Sequence, residues 1–142
     1  MSGVAVIRFL LANDAAVLAK VAADNIFAGD APIGAVLPVI SVKQISGMPY
    51  LTIAMNESKY LHTERVQVTP LLKGPDASPA GDGYPGVKAL LALALAACKN
   101  VHGIVNGIDV DSILPDLEGP DLSDNALSLY TQSRDFIVKF NA

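Results

Sequence analysis

The hexapeptide Gly81-Asp82-Gly83-Tyr84-Pro85-Gly86 has the G-x-G-x-x-G spacing of a phosphate-cradling turn, and an apolar helical pattern follows it. In such turns glycine lets the backbone approach a pyrophosphate while a helix N-terminus faces the negative charge. The flanking residues do not support that chemistry. Residues 74–80 separate the motif from the preceding strand pattern, Pro85 lacks an amide donor, and no acid stands near the ribose-binding distance. These residues read better as a flexible loop that Pro85 ends by starting a helix. Asp109-x-Asp111 opens like a calcium-binding loop, but Ile113 and Leu114 fill the next ligand position and the glycine position. His62, His102 and Cys98 have neither a metal-ligand spacing nor a Cys-His pairing, and no serine lies in a G-x-S-x-G setting. The sequence therefore points to a protein that is not an enzyme and carries no metal or cofactor.

Charge bounds the partners. Ten Lys and Arg against fourteen Asp and Glu give a formal charge of −4, and the basic residues are scattered singly. That distribution argues against gripping nucleic acid by neutralising phosphates, and a chain with no tryptophan and few aromatic residues offers no evident stacking platform. The acids do cluster. Asp109, Asp111, Asp116, Glu118, Asp121 and Asp124 follow one another with no basic residue between them, which predicts a solvated loop with a local negative field.

The element around which these groups must be arranged is residues 85–99, PGVKALLALALAACK. At the helical period Val87, Leu90, Leu91, Ala94, Leu95 and Cys98 form a stripe able to cover a sheet. Ala89, Ala92, Leu93 and Ala96 fall on the back, flanked only by Lys88 and Lys99. A back this apolar is either exposed alanine, tolerated because alanine favours helix, or a contact with another subunit. Cys98 reads as a small buried hydrophobe, and as the single cysteine it forms no internal disulfide. With 142 residues and 51% hydrophobic content the chain has single-domain length and no dividing linker. The helix is too short for a bilayer, which needs about 20 apolar residues. Arg8 interrupts the N-terminal apolar run and no basic segment precedes it, so a signal peptide is not expected.

Around the helix the pattern is mainly strand. Residues 4–12 read as a first helix, and Asn13 or Asp14 caps a short second turn over 15–20, giving a broken helical hairpin. Residues 25–38 hold too many Gly and Pro for regular structure. Residues 39–46 are a β-branched strand, whereas 47–63 fits either a short strand or a mobile, protruding hairpin bearing Tyr50, Leu51, Ile53 and Met55. Residues 64–73 alternate, with Val66, Val68 and Leu72 opposite Arg65, Gln67 and Thr69, and Pro70 predicts an edge or a bulge. After the Pro/Gly-rich loop at 74–86 and the helix, 102–110 reads as a strand interrupted by Gly103 and Gly107, extended over 111–117. Residues 127–140 read as one closing strand whose change of parity predicts a bulge near Ser133. The expected fold class is α+β: a mainly antiparallel sheet of about four strands, with the N-terminal broken helix and one long central helix packed on it.

The order LLANDAAVLAKV, NIFAGDAPIGAVLPVISVKQIS, ERVQVTPLL, PGVKALLALALAA, LYTQSRDFIVKF, with Ala31-Pro32, Leu37-Pro38, Arg65 and Arg134-Asp135-Phe136, resembles the phage tail completion or tail terminator family. The resemblance covers nearly the whole chain as a single domain over 1–142 and carries no role onto 47–63 or 74–86. It implies a structural protein of the virion's tail or neck, made in the host cytoplasm and free of membrane. Such proteins form a ring, typically a homohexamer, at the head-proximal end of the tail. The ring stops tail-tube polymerisation and meets the tail-tube protein on one side and the head-tail connector protein on the other, while DNA passes through without specific binding. A head-tail adaptor or a tail-tube subunit would share these features; a small-ligand-binding domain using the 74–86 loop is the reading from another class. On the ring reading, Ala89, Ala92, Leu93 and Ala96 with Tyr50, Leu51, Ile53 and Met55 make subunit contacts. Asp116, Glu118, Asp121 and Asp124 then face the bore, where they repel phosphates.

Overall fold

The computed structural model describes residues 3–50 and 60–142. Helix α1 (Gly3–Ala12), the first helix expected over 4–12, buries Val6, Ile7 and Leu11. Asp14 then caps α2 (Ala15–Leu18), its Oδ1 accepting from the amides of Ala16 at 3.0 Å and Val17 at 3.1 Å. The next segment, expected to be irregular, contains a short strand β1 (Ile26–Ala28), because Ile26 is buried in the core and its backbone pairs in parallel with β2 (Val39–Pro49).

The remaining elements are β3 (Leu61–Lys73), α3 (Gly83–Cys98), β4 (Gly103–Val105), β5 (Ile108–Glu118), β6 (Leu122–Asp124), β7 (Leu129–Thr131) and β8 (Arg134–Asn141). One sheet takes the order β1-β2-β3-β8-β5-β4, with β7 also on β3 and β6 on β7. Every pairing except β1 with β2 is antiparallel. The expected α+β fold with about four strands is therefore wrong: the described chain is mostly sheet, eight strands curled into a half-barrel around a single central helix. Three-residue strands such as β4, β6 and β7 carry no measurable period, so pattern reading passes over them.

Two stretches each read as one strand, 102–117 with interruptions at Gly103 and Gly107 and 127–140 with a bulge near Ser133, are split in the structure. Asn106 (φ 50°) and Gly107 (φ 76°) both take the left-handed conformation of a two-residue hairpin turn, which folds β4 back onto β5. Residues 127–140 separate at Gln132 and Ser133 into β7, which pairs with residues 71–73, and β8, which pairs with 61–68. Pro70, where an edge or a bulge was expected, lies at this handover, where a missing N–H is tolerated; the register runs through it without a bulge, and the register shifts fall instead at Ile45 in β2 and at two places in β5.

Alternation along the strands sorts the sheet into two faces. Val42, Val66, Val68, Ile113, Phe136, Val138 and Phe140 point into one core with α1 and α3. Burying each phenylalanine contributes about 1.5–3 kcal/mol. The other face carries Ser41, Lys43, Thr63, Arg65, Gln67, Thr69 and Lys139, none of them in the core. A one-residue slip would exchange the two sets, so this division fixes the register.

Candidate functional site

The glycine motif serves packing. The Gly81 amide donates to the Gly74 carbonyl at 3.0 Å, and a Cβ at Gly81 would overlap the Lys73 carbonyl oxygen, so the loop can cross the end of β3 only with glycine there. Gly83 (φ 61°) opens α3, and Pro85 occupies its first turn. Beside this loop a cavity of about 530 Å³ is lined by residues including Lys20, Val36, Pro38, Leu72, Lys73 and Asp82. His62 stacks between Tyr60 and Phe140, with ring centroids 4.6 and 5.3 Å away, while His102 lies exposed just before β4. Burial pushes the Cys98 thiol up to about 12, which keeps it protonated and unreactive. Among the described residues no three His, Cys, Asp or Glu side chains gather as a metal site, and no helix is long and apolar enough to cross a membrane.

The clustered acids have partners that the sequence separates widely. Arg65 of β3 places one guanidinium nitrogen 2.8 Å from Asp116 and the other 3.7 Å from Asp135. Glu118 lies 3.8 Å from Arg134. Asp121 accepts from Lys88 Nζ at 2.7 Å and from the Tyr84 hydroxyl at 3.1 Å. Lys88 also donates to Gln132 at 2.7 Å, and Gln132 donates to the Gly119 carbonyl at 2.8 Å, so the turn before β6 is fastened to α3. The Lys88 hydrogen bond holds the Asp121 carboxyl below its ordinary range, and the same bond keeps the Lys88 ammonium above its own. Asp124 closes a local turn, its Oδ1 accepting from the amides of Ala126 and Leu127. Three of the four acids assigned to the bore are thus each matched by a cation, and the unopposed negative field expected from the sequence is reduced accordingly.

Ala89, Ala92 and Ala96 are exposed, and Leu93 is half-buried at the margin of the core. Tyr50 is exposed at the end of the β2 arm; Leu51, Ile53 and Met55 lie outside the described residues.

The open edges of the sheet leave no signal in any single element. Strand β1 covers only residues 40–42 of β2, and β4 covers only 108–110 of β5, with one further bond from the Asn100 amide to the Ile113 carbonyl. Among the described residues, nothing pairs with the outer edge of β2 over 43–49 or of β5 over 114–118. The two free edges face opposite ways at one level of the sheet, since Ser46, Arg65, Ile137 and Leu114 are successive partners across it. Each carries exposed apolar side chains: Ile45 and Met48 on β2, Leu114 and Leu117 on β5. Free edges with such residues are unusual unless something covers them.

No family model matches the chain, and no curated protein matches it in sequence. The fold is shared with a chain in a solved structure described as the virion of a native gene transfer agent particle. The two superpose with a TM-score of 0.68 at 11% identity, over 99% of this chain and 96% of that one. At that identity the likeness is one of fold.

Proposed function

We propose that this chain is a structural subunit of a phage-like virion that assembles head to tail into a closed ring. The observation that carries this reading is the pair of free edges. β2, β3, β8 and β5 alternate in direction, so β5 of one copy would lie antiparallel to β2 of the next. A cyclic assembly needs two different complementary patches on each subunit, and the two edges supply them. The full-length likeness of fold to a virion chain supports the same reading. The order of segments favours the specific role of a tail terminator, a non-enzymatic ring that ends the tail tube and receives the head connector. A head-tail adaptor or a tail-tube subunit is the alternative, and either would occupy a different layer of the particle.

Mass measurement in solution tests the ring, with six times the 14.8 kDa protomer as the expected value. An image of the assembled particle assigns the layer. A strict monomer whose melting temperature rises with a small molecule would favour a ligand-binding domain instead, for which the cavity beside the 74–86 loop is the specific observation.

A further inference from the structure

We infer that Asp116 and Asp135 shield Arg65 so that the polar face of the sheet does not hold the phosphates of duplex DNA; the inference rests on the ring reading. When a sheet with helices on one face closes into a ring, the helical layer needs the larger circumference. On the ring reading this places the polar face toward the bore. Among the described residues its cations are Lys43, Arg65, Lys73 and Lys139.

Arg65 is the most hazardous of these for a sliding polyanion. A guanidinium is planar, permanently charged and forked, the geometry that binds phosphate bidentately. Repeated around a ring, it would form a belt of phosphate contacts. Here the side chain reaches from β3 past β8 toward β5, and carboxylates from both of those strands hold it, Asp116 at 2.8 Å and Asp135 at 3.7 Å. The Asp135 side chain is only 8% exposed, so it is fixed in place, while Asp116 stands at the rim of the pair. Lys43 is matched in the same way by Asp30 at the β2 edge. The closer pair, Arg65 with Asp116, is more than a third exposed on both sides, and such pairs add only about 0–1 kcal/mol to stability, whereas the nearly buried Asp135 needs the cation beside it. Charge cancellation at the one forked cation of this face is what the two carboxylates achieve.

The test compares wild type, Asp116→Asn and Arg65→Gln/Asp116→Asn, each first weighed in solution and then titrated with a duplex DNA fragment of mixed sequence at low and moderate salt. The expected result is wild-type mass for all three, negligible DNA affinity for wild type and the double variant, and measurable affinity for Asp116→Asn. With six phosphate contacts that affinity should fall about a thousandfold between 50 and 200 mM salt. A ring of Asp116→Asn that stays free of DNA overturns the inference alone, as does binding that survives Arg65→Gln. Loss of the ring in Asp116→Asn would make Asp116 an assembly residue and equally overturn it. A wild-type protein that remains monomeric overturns the ring reading and the inference with it.

Discussion

Ile45→Glu/Met48→Glu places two carboxylates on the free edge of β2. Ile45 is 49% exposed and Met48 57% exposed, so about half of each side chain remains to be covered by a neighbour. Full burial of such a residue contributes about 1.5–3 kcal/mol, which leaves roughly 2 kcal/mol for the two together at a subunit junction. The substitution removes that gain and adds carboxylates whose desolvation costs several kcal/mol each. It also sets them against an edge that already carries Asp116 and Glu118. A loss of about 2.7 kcal/mol is already a hundredfold in association. Within the protomer the cost is far smaller, because β2 beyond Lys43 is exposed and surface changes of this kind stay near 0.5 kcal/mol each. At about 2–4 °C per kcal/mol the melting temperature should fall by only a few degrees. Sedimentation and thermal unfolding followed by circular dichroism read the two effects separately. Ring collapse to protomers with a near-normal melting temperature is expected; a ring of wild-type mass would refute closure through this edge.

Closure through the edges leaves the back of α3 outside the junction, so Ala92→Glu/Ala96→Glu should keep both fold and ring, with a melting shift under about 3 °C. Loss of the ring at an unchanged melting temperature would return that face to the subunit interface. The Lys88–Asp121 link sets a pH window. The lowered Asp121 value stabilises the fold above the unfolded carboxylate value of about 3.9 and is lost as pH falls through the folded value. The raised Lys88 value stabilises it below about 10.4 and is lost as pH rises through the folded value. Amide exchange over residues 119–124 should accordingly quicken at both extremes, and in Asp121→Asn it should be fast already at neutral pH; an unchanged rate there would show that the turn is held by other contacts. Gly81→Ala forces a Cβ onto the Lys73 carbonyl oxygen and should cost about 1–3 kcal/mol in chemical denaturation, whereas an unaltered midpoint would mean that the loop relaxes freely.

The sequence determined the elements whose signal is local. The period of residues 85–99 placed α3 and its buried stripe, Asn13-Asp14 marked the start of α2 without deciding which of the two caps it, and the alternation of Val66 and Val68 with Arg65 and Gln67 assigned the two faces of β3. Gly107 marks an interruption of the 102–110 strand in the sequence, and the structure makes Asn106-Gly107 a hairpin turn there. Only the tertiary structure decided how many strands the sheet holds and which of its edges stay open, because strand pairing is a property of residues far apart in the chain. The same distance hid the charges. Asp116, Glu118 and Asp121 stand in a stretch without cations, yet Arg65, Arg134 and Lys88 meet them from β3, β8 and α3. Coulomb attraction depends on separation in space, which the sheet register sets and the order of residues does not.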